Sequence, residues 1–165
     1  MGREVRRVPE NWEHPTNNNG NYIPMFEYSY SETLAEWELQ KEKWDEGFVE
    51  CWNGEEDWKP KSENDKEGSF EDFYGGKPDP KYFIPDWEEE DKTHIQMYEN
   101  TTEGTPISPV FDNAEDLAQW LVDNKARSFG SATATFDQWM NTIKAGYAPS
   151  MVVKNGQSMS GVEFM

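Results

Sequence analysis

The residues of this chain best suited to nucleophilic or metal chemistry are Cys51, His14 and His94, and none has a local partner. A cysteine nucleophile needs an imidazole within hydrogen-bond reach to make its thiolate. Neither histidine is near Cys51 in sequence, and a small packed residue beside Trp52 is the simpler reading. His14 and His94 are 80 positions apart, with no spacing that suggests a metal-ligand set. His14 precedes Pro15 and reads as a turn residue, and His94 falls in a strand-like stretch. Carboxylates such as Glu88 and Glu90 suit Ca²⁺ in principle, but the alternating Asp/Asn pattern that wraps the ion is missing. No phosphate-cradling glycine loop and no Gly-x-Ser-x-Gly elbow occurs. No metal or cofactor is therefore expected, and a binding role is favoured over catalysis.

Two stretches remain. The first is Thr101–Phe111, with hydroxyls at Thr101, Thr102, Thr105 and Ser108 and a glycine at 104 that allows close backbone approach. It supports an alternative reading as a small enzyme or nucleotide- or ligand-binding protein, with His14, Glu103, Thr105, Ser108 and Ser150 as ligand-binding candidates. The second is Ile84-Pro-Asp-Trp-Glu-Glu-Glu-Asp91, four successive carboxylates behind an indole.

That run belongs to an uneven charge distribution. The 165 residues carry 33 acids against 15 Lys and Arg, a formal charge of −18. Residues 31–92 alone hold 21 of the acids against eight Lys. Such a field opposes direct binding to nucleic-acid backbones and to anionic membranes. It suits docking on a basic protein surface, where carboxylates stand in for phosphates. Trp52, Trp58, Phe70, Phe73, Tyr74, Tyr82, Phe83 and Trp87 are interleaved with these acids, and aromatic anchors within a charged rim are what a protein-binding patch needs. The partner-binding candidates are Trp58, Trp87, Glu88, Glu89, Glu90 and Asp91. No apolar run is long enough to span a bilayer, and the N-terminus has no apolar stretch behind its arginines, so a cytosolic protein is expected.

The elements that must position these residues lie mostly outside the acidic middle. Length favours one domain over 1–165. Residues 53–92, rich in Gly and Pro, read as an acidic irregular insertion within it. A strand is expected over Arg3–Val8, and a helix from Ser29 or Ser31, capped by Ser29 with Glu32 and stopped by Gly47. Leu34, Trp37, Trp44 and Phe48 give that helix its core stripe. Thr93–Tyr98 alternates as a strand, with Ile95 and Met97 facing away from His94, Gln96 and Tyr98. Asp112 with Glu115, and Thr135 with Gln138, open two further helices, the second ending at Gly146. Met151–Val153, Asn155-Gly156 and Ser158–Ser160 signal a hairpin. The sum is α+β: a small antiparallel sheet with two or three helices on one face and a long acidic, aromatic-rich loop excursion.

Three groups of motifs carry a resemblance. They are Arg3-Glu-Val-Arg-Arg-Val-Pro9 with Trp12-Glu-His-Pro15; Gln96-Met-Tyr-Glu99 with Glu103-Gly-Thr-Pro-Ile-Ser-Pro-Val-Phe111; and Ala148-Pro-Ser-Met-Val152 with Ser160-Gly-Val-Glu163. On these, roughly half the chain resembles a group of small uncharacterised bacteriophage and prophage proteins. Some similar proteins carry a Cys-x-x-Cys in the middle; this chain has only Cys51, so no metal knuckle is implied. The resemblance implies expression in the host bacterial cytoplasm and no particular activity. By analogy with small acidic phage proteins, it suggests an accessory protein that binds and inhibits a host nucleic-acid-handling or defence protein. A minor virion or assembly protein is a further alternative.

Overall fold

The computed structural model describes residues 2–51, 56–100, 104–154 and 156–165. In chain order its elements begin with β1 (Arg3–Val8), α1 (Tyr30–Glu46), β2 (Phe48–Glu50), β3 (Trp58–Pro60) and α2 (Phe70–Tyr74). There follow β4 (His94–Glu99), β5 (Thr105–Pro106), α3 (Ala114–Asp123), β6 (Arg127–Phe129), β7 (Ala132–Thr133) and α4 (Phe136–Ala145). The chain closes with β8 (Tyr147–Ala148), β9 (Met151–Lys154), β10 (Gln157–Ser160) and α5 (Gly161–Phe164). The fold is α+β.

The chain divides into two compact units, one of residues 1–27 and 87–165, the other of residues 28–86. The sequence suggested one domain with an irregular insertion over 53–92. The observed boundaries take α1 and β2 into the inserted unit and cut between Asp86 and Trp87, inside the acidic run. The middle stretch also has more structure than its Gly and Pro content promised. It contains β3, the capped α2 and two single 3₁₀ turns.

In the larger unit, an antiparallel sheet has the order β5-β4-β1-β8. β1 and β4 pair with Val5 opposite Met97 and Arg6 opposite Gln96. Residues directly opposite in an antiparallel pair share a face, so Val5, Ile95 and Met97 point one way and Glu4, Arg6, Gln96 and Tyr98 the other. The first face packs on α3 and α4, where Met97, Leu117, Ala118, Leu121 and Trp139 are buried together. α4 starts at Thr135, with the reciprocal bond from Gln138, and ends at Gly146 in the left-handed region, φ 85°. α3 starts one residue later than expected. Asn113, not Asp112, is the cap, its side chain accepting from the Asp116 amide. The β9–β10 hairpin forms as the sequence indicated; Asn155 lies outside the described residues.

In the smaller unit, Ser29 caps α1 by accepting from the Glu32 amide, and Gly47 ends it at φ 97°. Phe48 does not continue the helical stripe. It begins β2, beyond the stop, and is exposed. The core is instead Trp44, Val49 and Phe70, with Trp37 and Tyr74 packed against it.

Candidate binding site

The second face of the larger unit's sheet is buried yet polar. Arg6 and Gln96 are 2% and 5% exposed and Tyr98 is fully buried, although strands usually present such residues to water. The segment after β1 covers them. Arg6 forms an ion pair with Glu4, donates from Nη1 to the Met25 carbonyl (2.7 Å) and lies 4.3 Å over the Tyr98 ring. Gly104 is where the chain passes this guanidinium; at φ 108° and with no room for a Cβ, the position needs glycine.

Tyr98 Oη is the hub of a hydrogen-bond network. Trp12 Nε1 donates to it at 3.0 Å. Gln96 Nε2 donates to the Ser108 carbonyl (2.7 Å), which turns Gln96 Oε1 toward the phenol, where it accepts at 2.9 Å. His14 Nε2 is 2.6 Å from the Ile23 carbonyl, which only accepts, so this nitrogen carries a proton. In the neutral ring Nδ1 is then an acceptor, 3.1 Å from Tyr98 Oη. One phenolic proton thus faces two acceptors. Protonating His14 would let Nδ1 donate and satisfy every group. Burial opposes this and lowers the His14 pKa below its ordinary 6.5; the Ile23 hydrogen bond counters it and Arg6 reinforces it. Burial also raises Tyr98 from 10.0 to about 12, against the Trp12 hydrogen bond and the Arg6 charge.

Trp12, His14, Gln96 and Ser108 of this network line an open cleft of about 580 Å³, with Tyr98 buried beneath. Its walls include Trp12, Tyr22 and Trp120, with His14, Gln96 and Ser108 at its base. Ser108 sits there because its hydroxyl completes the strand edge: Oγ accepts from the Met97 amide (2.9 Å) and donates to the Pro109 carbonyl (2.8 Å).

Of the ligand-binding candidates, His14 and Ser108 therefore share one cleft. Thr105 is on edge strand β5 and donates to Glu99 at 3.4 Å. Ser150 follows β8, at the opposite edge of the sheet, and is not part of this cluster. Thr101, Thr102 and Glu103 lie outside the described residues. Trp12, Tyr22, Gln96 and Trp120 were missed. The only advance signal was that Trp12 and His14 share one short turn-rich stretch with Tyr22.

The partner-binding candidates divide between the units. Trp87 is half-buried and meets Trp12 edge-on, ring centroids 4.7 Å apart. Glu88, Glu89, Glu90 and Asp91 are all exposed, on a turn closed by bonds from the Asp91 and Lys92 amides to the Glu88 and Glu89 carbonyls. Glu89 pairs with Arg7 (2.7 Å) and Lys92 (2.6 Å), and the Lys92 hydrogen bond is the main reason its pKa lies below the usual carboxylate range. Trp58 belongs to the smaller unit, half-buried beside Glu50 and Cys51 in a recess of about 250 Å³. Trp52 lies outside the described residues. Phe70 and Phe83 are buried in the smaller unit rather than offered to a partner.

That unit's strongest charged feature is α1. Glu32, Glu36, Glu38, Glu42 and Glu46 are exposed along its 17 residues. At 100° per residue they fall on the side away from Trp37 and Trp44. Lys43 answers Glu46 (2.7 Å), and Lys41 answers Asp45 (3.0 Å).

Among the described residues no three or more His, Cys, Asp or Glu side chains are placed to hold a metal ion, and no helix is long and apolar enough to cross a membrane. No protein-family model matches this chain, and it has no significant match among curated proteins or solved structures.

Proposed function

We propose that this chain is a binding protein that lays the carboxylate face of α1 on a basic surface of another protein. The observation that carries the reading is the exposed set Glu32, Glu36, Glu38 and Glu42, two i,i+4 pairs flanking the outer half of a helix whose other half is fixed by Trp37, Trp44 and Phe70. A helix rises 1.5 Å per residue, so Glu38 and Glu42 stand about 6 Å apart, near the separation of neighbouring phosphates on a nucleic-acid strand. Carboxylate pairs of this spacing on a rigid helix fit a groove built for a phosphate backbone. The aromatic residues of the middle segment serve mainly as internal support, so electrostatics carries more of the docking than aromatic anchoring. The sequence resemblance to phage proteins supports a host nucleic-acid-handling or defence protein as the partner, met in the bacterial cytoplasm, with inhibition as the outcome of occupying its groove. The acidic turn Glu88–Asp91 supplies a second negative patch.

Capture from bacterial lysate tests this. Retention at about 50 mM salt, loss at about 500 mM, displacement by duplex DNA, and loss in the E32Q/E36Q/E38Q/E42Q variant are all expected. Retention that resists salt and DNA, or that the variant preserves, overturns the reading.

A further inference from the structure

The cleft over the His14–Tyr98–Gln96 network lies in the larger unit and owes nothing to α1. Its composition selects a ligand. Three aromatic residues, Trp12, Tyr22 and Trp120, contribute to one lining, and the acidic residue Glu13 joins them. Among the described residues, no Lys or Arg lines the space. His14, the one described lining group able to become cationic, has its proton-binding weakened by burial and by Arg6. No described lining group neutralises a phosphate or a carboxylate, and the −18 net charge repels both. That disfavours the nucleotide ligands the Thr101–Phe111 loop suggested.

The same features favour an organic cation. Aromatic faces attract ammonium groups through their quadrupole, most strongly where water is excluded, and cages of two or three rings are how proteins hold quaternary ammonium ions. A nearby carboxylate adds a long-range attraction that a neutral ligand does not feel. The volume of about 580 Å³ lies within the range of small-molecule sites. The polar part of the lining is prearranged, since Gln96 and Ser108 are held by hydrogen bonds to each other and to Met97 and Tyr98 and do not need to reorganise. The geometry points to a binding site for a small quaternary or alkylated ammonium compound, with Trp12, Tyr22 and Trp120 as the aromatic walls and Glu13 as the counter-charge.

Calorimetric titration of the full chain with choline and with 3,3-dimethylbutan-1-ol, its uncharged carbon isostere, separates cation recognition from apolar filling. Choline is expected to bind at least about tenfold more tightly than the isostere. Tyr22→Ala and Trp120→Leu should each weaken choline about 2- to 30-fold, the span of one cation–π contact. Glu13→Gln should weaken it severalfold, with less effect at high salt. Tyr22 is 50% exposed and Glu13 is exposed, so these two variants keep the fold, and an unchanged thermal melt checks that. Equal affinity for choline and the isostere, or binding of neither, overturns the assignment. So does choline binding that Tyr22→Ala and Glu13→Gln leave unchanged, which would mean diffuse attraction to an acidic protein. Inorganic phosphate binding more tightly than choline overturns it as well.

Discussion

The two units solve opposite packing problems. The larger one buries polar groups: one face of its sheet holds Glu4, Arg6, Gln96 and Tyr98 under the chain that follows β1. The smaller one buries rings: Trp44, Phe70, Trp37 and Tyr74 make edge-to-face and tilted contacts at 5.2 to 6.2 Å. Most of its described carboxylates stay in water. A buried polar network is directional and tolerates few substitutions, because each group left unpaired costs its full desolvation. A ring cluster depends on area and shape, and leaves the outer surface free to take on charge. The lesson is that the acidic segment's aromatics are what allow so many acids to be carried on a folded support.

The largest effect should come from Gly104→Ala. A methyl group there collides with the Arg6 guanidinium and must adopt φ 108°, so the buried Arg6–Glu4 pair is forced apart. About 3–5 kcal/mol of stability should be lost. Urea unfolding measures it, and a loss below about 1 kcal/mol would mean that the polar face rearranges freely and the contrast between the units is wrong.

Trp44→Ala should cost about 3 kcal/mol, as truncation of a buried aromatic does. Hydrogen exchange should show the loss in α1 and β2 while β1 and β4 keep their protection. Equal loss of protection in both units would show that they unfold as one and that the division is only geometric.

Tyr98→Phe removes the hydroxyl that Trp12, Gln96 and His14 share, and should cost about 1–3 kcal/mol. The same hydroxyl gives the wild type an alkaline signature. Its folded pKa is raised to about 12, so its contribution is complete below pH 10 and is lost as pH rises toward 12, by roughly 2–3 kcal/mol. Tyr98→Phe should flatten that decline. His14 has the opposite sense. Its folded pKa is lowered, so its contribution is present above pH 6.5 and is lost as pH falls below it. His14→Gln should remove this part of the acid slope, and a slope left unchanged would place its origin elsewhere.

The smallest effect should be on the α1 surface. The E32Q/E36Q/E38Q/E42Q variant should change stability by no more than about 0.5 kcal/mol per site, since exposed charges away from packed features contribute little. A large change in thermal midpoint would show that the acids are structural after all.

Local chemistry made several elements legible in advance. Ser29 and Gly47 bracket α1 because a hydroxyl satisfies the first amides and a glycine takes the left-handed stop. Thr135, Gln138 and Gly146 do the same for α4. The alternation of β4 correctly separated Ile95 and Met97 from Gln96 and Tyr98. At α3 the sequence offered Asp112 and Asn113 side by side, both competent caps, and backbone placement chose the second. α5 is a single turn capped by Ser160 and was not foreseen, since four residues carry no periodicity.

What the sequence determined by itself was therefore whatever depends on neighbours in the chain: helix ends, strand alternation, the −18 charge and its concentration in the middle. The tertiary structure alone decided which charges and rings are hidden. Arg6 and Arg7 are adjacent and chemically alike, yet one is buried against Glu4 and Tyr98 while the other reaches into solvent to Glu89. Trp12, His14, Gln96 and Trp120 meet in one cleft although more than 100 positions separate the first from the last. The physical reason is that a strand's two faces are equivalent until something covers one of them, and here the cover comes both from the segment just after β1 and from the distant chain around Gly104 and Ser108.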